Sequence, residues 1–295
     1  MKLVGLMAAR NEDWCIGLTL RAALMWCDEI VVLDHASTDN TRNVLDEVDE
    51  ETEFGKVFFL REDGAQWEEM RHRQRMLDTA RQIGATHIAY VDADEILAGS
   101  LLPSIRGHIE RLAPGQMLSL PWLQLKENVG YVMSSGMWAE QCASVAFKDI
   151  PQAHWAARNG YDFHQRKPLG VSWQDEEPVG RRRRTAGLLH LQFLSDKRLK
   201  AKQYLYKLTE RLRWPDRTMP DYDRTVREYQ QAKVAPVPAD WWTPYHHIAH
   251  HLHIDREPWQ LDEIRRILRE HPGIGSGLDD FGLGAILTAD ATVLS

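Results

Sequence analysis

The chain has 295 residues, of which 43% are hydrophobic and 27% are charged, and its formal net charge is −7. This balance excludes a disordered or fibrous protein, and no apolar run reaches the ~20 residues that a membrane-spanning helix needs. Arg10 interrupts the apolar start of the chain too early for a signal peptide, so we expect a cytoplasmic protein with no membrane span.

The first hundred residues alternate between short apolar strands and segments of helical periodicity. Strands are predicted over 3–8, 29–34, 56–60 and 86–92. Helices are predicted over 14–27, from 37 or 38 onward, and over 67–83. Strands joined by helices are parallel, and parallel sheets are covered on both faces. The predicted fold class is therefore α/β, with a doubly wound, mostly parallel sheet.

The pattern changes after about residue 125. Short strand-like runs, such as 142–147 and 187–193, are broken by Pro and Gly up to residue 195, and a helical C-terminal extension follows. Its helices are predicted over 197–212, 222–233, 241–254 and 260–270. We therefore divide the chain into three parts, 1–125, 126–195 and 196–295.

Polar side chains follow three of the predicted strands, at the edge where open α/β sheets bind ligands. Asn11 and Glu12 follow the first strand, Asp34 ends the second, and Asp92 and Asp94 end the fourth. The chain has no G-x-G-x-x-G after its first strand and no P-loop motif, which disfavours a dinucleotide fold and a P-loop protein.

Asp92 and Asp94 form a D-x-D pair. In an extended backbone these two side chains point to the same side, so both carboxylates can reach one cation. Mg²⁺ and Mn²⁺ prefer oxygen ligands, and Mg²⁺ takes one or two carboxylates together with substrate phosphates. The pair therefore predicts a divalent metal that holds a diphosphate. The alternative is a pair of aspartates that only caps the following turn.

With these motifs the sequence resembles the glycosyltransferase family 2 proteins of the GT-A fold. The resemblance covers residues 1–125 and rests on a D-x-x-S-T-D-x-T element from Asp34 to Thr41 and on the D-A-D-E block from Asp92 to Glu95. It implies a GT-A-type fold whose first part binds a nucleoside-diphosphate sugar, with UDP the expected nucleotide. The part 126–195 would complete the domain on the acceptor side.

The resemblance also implies roles for individual residues. The nucleotide-sugar site would contain Ala8, Asn11, Glu12, Asp34, Asp92 and Ala93. Asp92 and Asp94 would hold Mn²⁺ or Mg²⁺ and His190 would complete the metal shell, with His164 as the next candidate. Asp39 would support its loop at the start of the second helix. A histidine packed in the core is as good an explanation for His164 or His190 taken alone.

Arg71 and Arg75 lie four residues apart on the third predicted helix and so share a face. This face could turn toward the nucleotide and bind its phosphates. A solvated cationic face explains the two residues equally well.

The chemistry of sugar transfer needs cations and a base. Negative charge grows on the leaving phosphate, where a metal and nearby cations stabilise it. In an inverting enzyme, which the resemblance implies, a carboxylate takes the proton of the acceptor hydroxyl. The candidates for this base are Asp175, Glu176 and Glu177. An acidic turn would explain that cluster equally well.

The middle of the chain is basic, with 18 Lys and Arg against 10 Asp and Glu over residues 158–233. Such a segment attracts phosphate-bearing ligands. Together with His164, we expect the following arginines to contact the donor diphosphate or an anionic acceptor: Arg181, Arg182, Arg183 and Arg184. The acceptor would be modified DNA, a phosphorylated glycan or an anionic lipid, and a solvated face is the alternative.

Three other functions remain open. A non-catalytic nucleic-acid-binding protein would use the basic 158–233 region, and a nucleotidyltransferase would break a different bond of a similar donor. A haloacid-dehalogenase-like phosphatase is disfavoured, because it needs its D-x-D on the first strand and Thr or Val where this chain has Ile96. The His-rich tract 245–253 is expected to be a packed helical hairpin, since no third metal ligand can be assigned to it.

Overall fold

The structure is a computed structural model that describes residues 1–52, 55–64, 66–173 and 184–289. The chain forms two compact units, and each is assembled from three stretches of sequence. The first unit contains Met1–Leu123, Glu140–Leu191 and Val237–Ile254. The second contains Gln124–Ala139, Gln192–Pro236 and the chain from Asp255 onward. The roles expected for the parts 1–125, 126–195 and 196–295 stay predictions.

The first unit is built on four parallel strands in the order β3-β2-β1-β4. They are β1 (Leu3–Ala9), β2 (Glu29–His35), β3 (Val57–Glu62) and β4 (His87–Tyr90). The connecting helices are α1 (Ile16–Leu24), α2 (Thr41–Glu51) and α3 (Glu69–Gln82). Neighbouring β1 residues such as Leu6 and Met7 point to opposite faces, and both are buried, so both faces of the sheet are covered. The predicted α/β class is confirmed.

The sheet continues beyond β4 with pairs that are partly antiparallel, in the order β8-β6-β10-β5. These strands are β5 (Glu95–Leu97), β6 (Gln116–Gln124), β8 (Cys142–Lys148) and β10 (Leu188–His190). A short strand, β9 (Ser172–Trp173), pairs in parallel with β6. Helix α4 spans Leu102–Glu110. Strand β10 runs antiparallel to β5. This pairing brings residue 190 beside residue 95 and therefore decides where the site forms.

The second unit contains a two-stranded ribbon and helices. The ribbon pairs β7 (Tyr131–Met133) with β11 (Val234–Pro236), and the helices are α5 (Asp196–Arg213), α6 (Tyr222–Gln231), α7 (Gln260–Glu270) and α8 (Gly284–Ala289). Leu208 of α5 and Ile264 of α7 are fully buried in the core between them. No helix in the described part of the chain is long and apolar enough to cross a membrane.

Two of the sequence predictions for helices were wrong in their bounds or type. Helix α2 begins at Thr41 rather than at residue 37 or 38, because residues 36–40 are held in a loop that binds the Asn11 side chain. The segment 241–254 forms short 3₁₀ turns instead of a helix, at Ala239–Trp241, Thr243–Tyr245 and Ala249–His251. Pro244 lacks the backbone N–H that a continuous helix would need there.

Candidate functional site

The carboxyl ends of β1, β2 and β4 lie at one edge of the sheet, because these strands are parallel neighbours. Asn11 follows β1, Asp34 is the next-to-last residue of β2, and Asp92 follows β4. This is the edge where ligands bind in open α/β sheets. The sheet thus brings together the three segments that the sequence singled out.

Asn11 organises the loops at this edge. Its backbone is left-handed, with φ of 54°, a conformation that Asn tolerates better than most residues. Its Oδ1 accepts hydrogen bonds from the backbone N–H groups of Thr38 (2.7 Å) and Asp39 (3.3 Å). Asp34, whose Oδ1 accepts from Ser37 N–H at 3.2 Å, belongs to the same loop. The D-x-x-S-T-D-x-T element is therefore folded around the Asn11 side chain.

Asp39 and Glu12 tie this loop to helix α2. Asp39 accepts from the N–H groups of Thr41 (2.9 Å) and Asp13 (3.2 Å), which is the supporting role expected for it. Glu12 donates its N–H to Thr41 Oγ1 at 2.8 Å, and its Oε2 accepts from the indole of Trp14 at 2.6 Å. Ala8 lies within β1, beside the start of this loop.

Thr19 of helix α1 and Cys15, the residue before that helix, hold the backbone of the D-A-D-E block. The carbonyl of Ala93 accepts hydrogen bonds from Thr19 Oγ1 at 2.7 Å and from Cys15 Sγ at 3.2 Å, and all these groups are buried. The three acidic side chains of the block differ in exposure, which is 31% for Asp92, 10% for Asp94 and 0% for Glu95. The block is thus fixed by its backbone while its carboxylates meet different surroundings.

Arg166 is the largest feature of the site that sequence reasoning missed. Its guanidinium donates to Asp92 Oδ2 at 2.6 Å and to both oxygens of Glu95 at 2.8 and 2.7 Å. Its Nε donates to the carbonyl of Ser144 at 2.8 Å. Although burial opposes a charge on Arg166, Glu95 and Asp92 raise its pKa, so it stays protonated.

A second arginine reaches the other oxygen of Asp92. Arg73 Nη2 lies 3.5 Å from Asp92 Oδ1, and Arg73 Nε donates to Glu69 Oε1 at 2.9 Å. Burial opposes the ionisation of Asp92, but Arg166 and Arg73 hold its pKa below the ordinary value. Asp92 is therefore an ionised carboxylate bracketed by two guanidinium groups.

His164 and Glu95 complete this network. Glu69 Oε2 accepts the backbone N–H of His164 at 2.9 Å, so the predicted site histidine contributes through its main chain. Its backbone is left-handed, with φ of 57°. Burial raises the pKa of Glu95 in spite of the adjacent Arg166. The sequence did contain a signal for Glu95. It stands before the apolar residues Ile96 and Leu97, and a carboxylate that is buried with such residues in a strand needs a cation to pair with.

His190 lies against Asp94. Its Nε2 is 3.3 Å from Asp94 Oδ2, and the indole of Trp122 stacks on its ring with centroids 4.7 Å apart. The next residue, Leu191, donates its N–H to the carbonyl of Asp94 at 2.9 Å. The pairing of β10 with β5 therefore brings together two side chains that are 96 residues apart in the sequence.

The donor atoms of Asp94 and His190 fit a divalent cation. Two neighbouring ligands of an octahedral metal with bonds of about 2.1 Å lie about 3 Å apart, close to the separation of these two atoms. Asp92, the third predicted ligand, instead faces Arg166 and Arg73. Within the described residues, no three His, Cys, Asp or Glu side chains are grouped to hold a metal. A divalent cation held by Asp94 and His190 would therefore take its remaining ligands from phosphate and water.

Arg71 and Arg75 lie on α3 against the end of β3. Arg71 pairs with Glu62 at 3.0 Å and Glu68 at 2.7 Å, and Arg75 pairs with Glu62 at 3.3 Å. They line an open groove of about 670 Å³ together with Trp155. Asp34, Asp92 and Asp94 do not line this groove. We therefore place the candidate site at the strand ends, where these carboxylates lie, and not in the groove.

A ring cluster supports the loop at Asp34. His35, Trp67 and His72 have ring centroids 4.7 to 5.1 Å apart, and both histidines are fully buried. Burial, with smaller contributions from His35 and Arg71, lowers the pKa of His72 to about 4. Burial also lowers the pKa of His35. Both rings are therefore neutral at physiological pH.

Six of the predicted residues lie outside the part that the structure describes: Asp175, Glu176, Glu177, Arg181, Arg182 and Arg183. Arg184 is described, and it donates to the carbonyls of Trp122 at 3.1 Å and Gln141 at 3.3 Å.

In the second unit, cations of the basic helix α5 have partners within the unit. Lys197 pairs with Glu257 at 2.6 Å, and Lys200 pairs with Asp196 at 2.6 Å.

No family model matches the chain, and no curated protein matches its sequence. Solved structures do resemble it. TarS of S. aureus (residues 1–349) is 10% identical over 92% of this chain and 81% of that one, with a TM-score of 0.41. The mannosyltransferase PcManGT of Pyrobaculum calidifontis, solved with GDP-Man and Mn²⁺, is 14% identical over 100% and 81%, with a TM-score of 0.36. Glucosyl-3-phosphoglycerate synthase of Mycobacterium tuberculosis is 14% identical over 50% and 55%, with a TM-score of 0.28.

All three TM-scores are below 0.5 and the identities are at most 14%, so these similarities carry no argument about the activity, the donor, the acceptor or the metal of this chain.

Proposed function

We propose that the protein is a glycosyltransferase that moves a sugar from a nucleoside-diphosphate sugar, with UDP the expected nucleotide, to an acceptor hydroxyl. One observation carries the proposal: the contact between Asp94 and His190 at the sheet edge where Asp34 and the Asn11 loop also end. A carboxylate and an imidazole whose donor atoms face each other can bind the same divalent metal ion, and that ion can bind a diphosphate. A carboxylate at the neighbouring strand end suits a ribose or a base.

The residues divide the donor between them. Asp34 binds the ribose or the base, and the Asn11 loop shapes the walls of that site. Asp94 and His190 are the residues that would hold Mn²⁺ or Mg²⁺, which as a Lewis acid would stabilise charge on the leaving diphosphate. Arg73, whose Nη2 lies 3.5 Å from Asp92 Oδ1, would add positive charge near the leaving diphosphate.

The acceptor side of the proposal rests on sequence. Asp175, Glu176 and Glu177 are our candidates for the base that deprotonates the acceptor hydroxyl in an inverting reaction. Arg181, Arg182 and Arg183 are candidates for contacts to phosphate on the donor or on an anionic acceptor. Trp173, which precedes this segment in the sequence, is 48% exposed, and an exposed aromatic ring can stack on a sugar or a base.

A thermal-shift titration tests donor binding. We expect UDP or GDP with Mn²⁺ to raise the melting temperature of the wild-type protein by about 5 °C at 100 times Kd. Asp94→Asn should abolish most of this shift, because it removes a metal ligand without changing size. Asp63→Asn is the matched control, since Asp63 is 77% exposed and lies after β3. Its shift should equal that of the wild type.

Other outcomes would point to the other functions. A protein that binds no nucleoside diphosphate with or without metal is not a glycosyltransferase of this kind. If it instead binds DNA with a steep salt dependence that Asp94→Asn leaves unchanged, the basic 158–233 region is the functional surface. Release of pyrophosphate from a nucleoside triphosphate would identify a nucleotidyltransferase.

A further inference from the structure

The guanidinium group of Arg166 is fixed by several hydrogen bonds. It donates four hydrogen bonds, to Asp92, to both oxygens of Glu95 and to the Ser144 carbonyl, all between 2.6 and 2.8 Å. A guanidinium has five N–H donors in a fixed plane, so most of its capacity is committed. The rings of Tyr90 and Trp122 lie 5.9 Å from it and restrict it further.

Glu95 makes this arrangement necessary. Its side chain is 0% exposed, and a buried carboxylate is costly unless a cation pairs with it and satisfies its oxygens. Arg166 does both, and its other carboxylate partner is Asp92, which is the most exposed carboxylate of the block. Arg166 is thus the cation that buried Glu95 needs, and it also binds Asp92, the first aspartate of the D-x-D pair.

We propose that Arg166 is a positioning residue, a built-in cation that occupies one oxygen of Asp92 and both oxygens of Glu95 and so keeps these oxygens from ligating metal. A divalent ion would compete with the guanidinium for the same oxygen atoms. The ligands that we assign to the ion are Asp94 and His190, whose facing atoms lie 3.3 Å apart. This inference rests on the proposed function, because it deepens the assignment of Asp94 and His190 as metal ligands.

The consequence is a metal site that is weak until the donor arrives. Two protein ligands leave most of the coordination shell of Mn²⁺ or Mg²⁺ to water and phosphate. The metal therefore binds together with the nucleoside diphosphate. Free carboxylates at Asp92 and Glu95 would instead trap the metal without the donor.

Titration of the protein with Mn²⁺ alone, followed by calorimetry or by the loss of the free Mn²⁺ electron-spin signal, tests this inference. Arg166→Gln should bind Mn²⁺ about tenfold more tightly than the wild type, since it releases two carboxylates and removes a competing charge. Arg166→Lys keeps the charge but cannot make all four hydrogen bonds of the guanidinium, so its Mn²⁺ affinity should lie between those of the wild type and Arg166→Gln. Damage to the fold would weaken metal binding, so a tighter site is not a structural side effect.

A second variant protects the test against misfolding. Arg166→Gln leaves Glu95 buried and unpaired, which is strongly destabilising. In the double variant Arg166→Gln/Glu95→Gln that charge is removed, while Asp92 still loses its arginine. We expect it to bind Mn²⁺ about threefold more tightly than the wild type. The matched control is Arg81→Gln, which breaks a two-bond ion pair with Asp149 elsewhere in the unit and should leave Mn²⁺ binding unchanged.

The outcomes separate this inference from the proposed function. Wild-type stabilisation by UDP and Mn²⁺ without tighter Mn²⁺ binding in either glutamine variant would overturn the role of Arg166 alone. Tighter Mn²⁺ binding in the variants of a protein that binds no nucleoside diphosphate would overturn the proposed function and leave the competition by Arg166 in place. Mn²⁺ affinity that rises equally in Arg81→Gln would also overturn the inference.

Discussion

Acidification should destabilise the first unit through His72, and the size of the effect follows from its surroundings. His72 is fully buried on α3, packed against Trp67 at 4.7 Å and His35 at 5.0 Å. Arg71 and His35 oppose a charge on its ring, while Glu62, 4.0 Å away, favours one. Burial is the largest effect and lowers the pKa of His72 to about 4.

The sign follows from the order of protonation. In the unfolded chain a histidine has a pKa of about 6.5, so as the pH falls the unfolded state takes up the proton first. The contribution of neutral His72 to the free energy of unfolding is therefore present at pH values above 6.5 and is lost progressively as the pH falls from 6.5 toward 4. With the folded pKa at about 4, His72 alone lowers the free energy of unfolding by about 2 kcal/mol between pH 7 and pH 5.

Urea denaturation of the wild type and of His72→Phe at pH 7 and pH 5 measures this effect. Phenylalanine keeps an aromatic ring between Trp67 and His35 but cannot take up a proton. We expect the wild type to lose about 2 kcal/mol more than the variant between the two pH values. At pH 8 both proteins have a neutral ring here, so the difference between them at that pH gives the cost of the substitution itself. Equal losses in both proteins on acidification would refute the assignment.

Substitutions at three further positions test local contacts within the first unit. Thr19→Val removes the hydroxyl that donates to the Ala93 carbonyl and should cost about 1 kcal/mol in urea denaturation; it should also weaken the binding of UDP with Mn²⁺ in calorimetry, and unchanged binding would contradict this support. Asn11→Ala loses the side-chain acceptor and places Ala at φ of 54°, for a cost of about 2 kcal/mol, whereas Asn11→Gly should recover the backbone part; equal stabilities of the two variants would argue against strain. Gly170→Ala would bring a Cβ to 2.5 Å from the Gln152 carbonyl at φ of 82° and should lower stability by about 3 kcal/mol, which a midpoint equal to that of the wild type would disprove.

The sheet and its functional edge could be predicted because the signals are local. Four apolar runs separated by helical periodicity fix parallel strands, and parallel strands place Asp34 and Asp92 at one edge. The end of α3 at Gln82 is also marked by a local signal, because Gly84, with φ of 85°, follows two residues later. The predicted helix over 241–254 failed for a local reason too, since its periodicity is interrupted by Pro244.

Arg166 could not be predicted, because its role depends on tertiary contacts. It is separated by 74 residues from Asp92 and lies in a segment without helical or strand periodicity. The pairing of His190 with Asp94 was expected only from the family resemblance, and the β10–β5 register is what brings them together. For Asp92, the sequence predicts a metal ligand, whereas the fold surrounds this carboxylate with arginines.

Release of nucleotide from a panel of UDP- and GDP-linked sugars, measured with Mn²⁺ and without any acceptor, tests the proposed activity most directly. We expect the wild type and the surface control Asp63→Asn to hydrolyse at least one donor slowly, and Asp94→Asn to do so about 100-fold more slowly or not at all. Release from none of the donors, or release that Asp94→Asn leaves unchanged, would contradict a glycosyltransferase centred on Asp94 and His190.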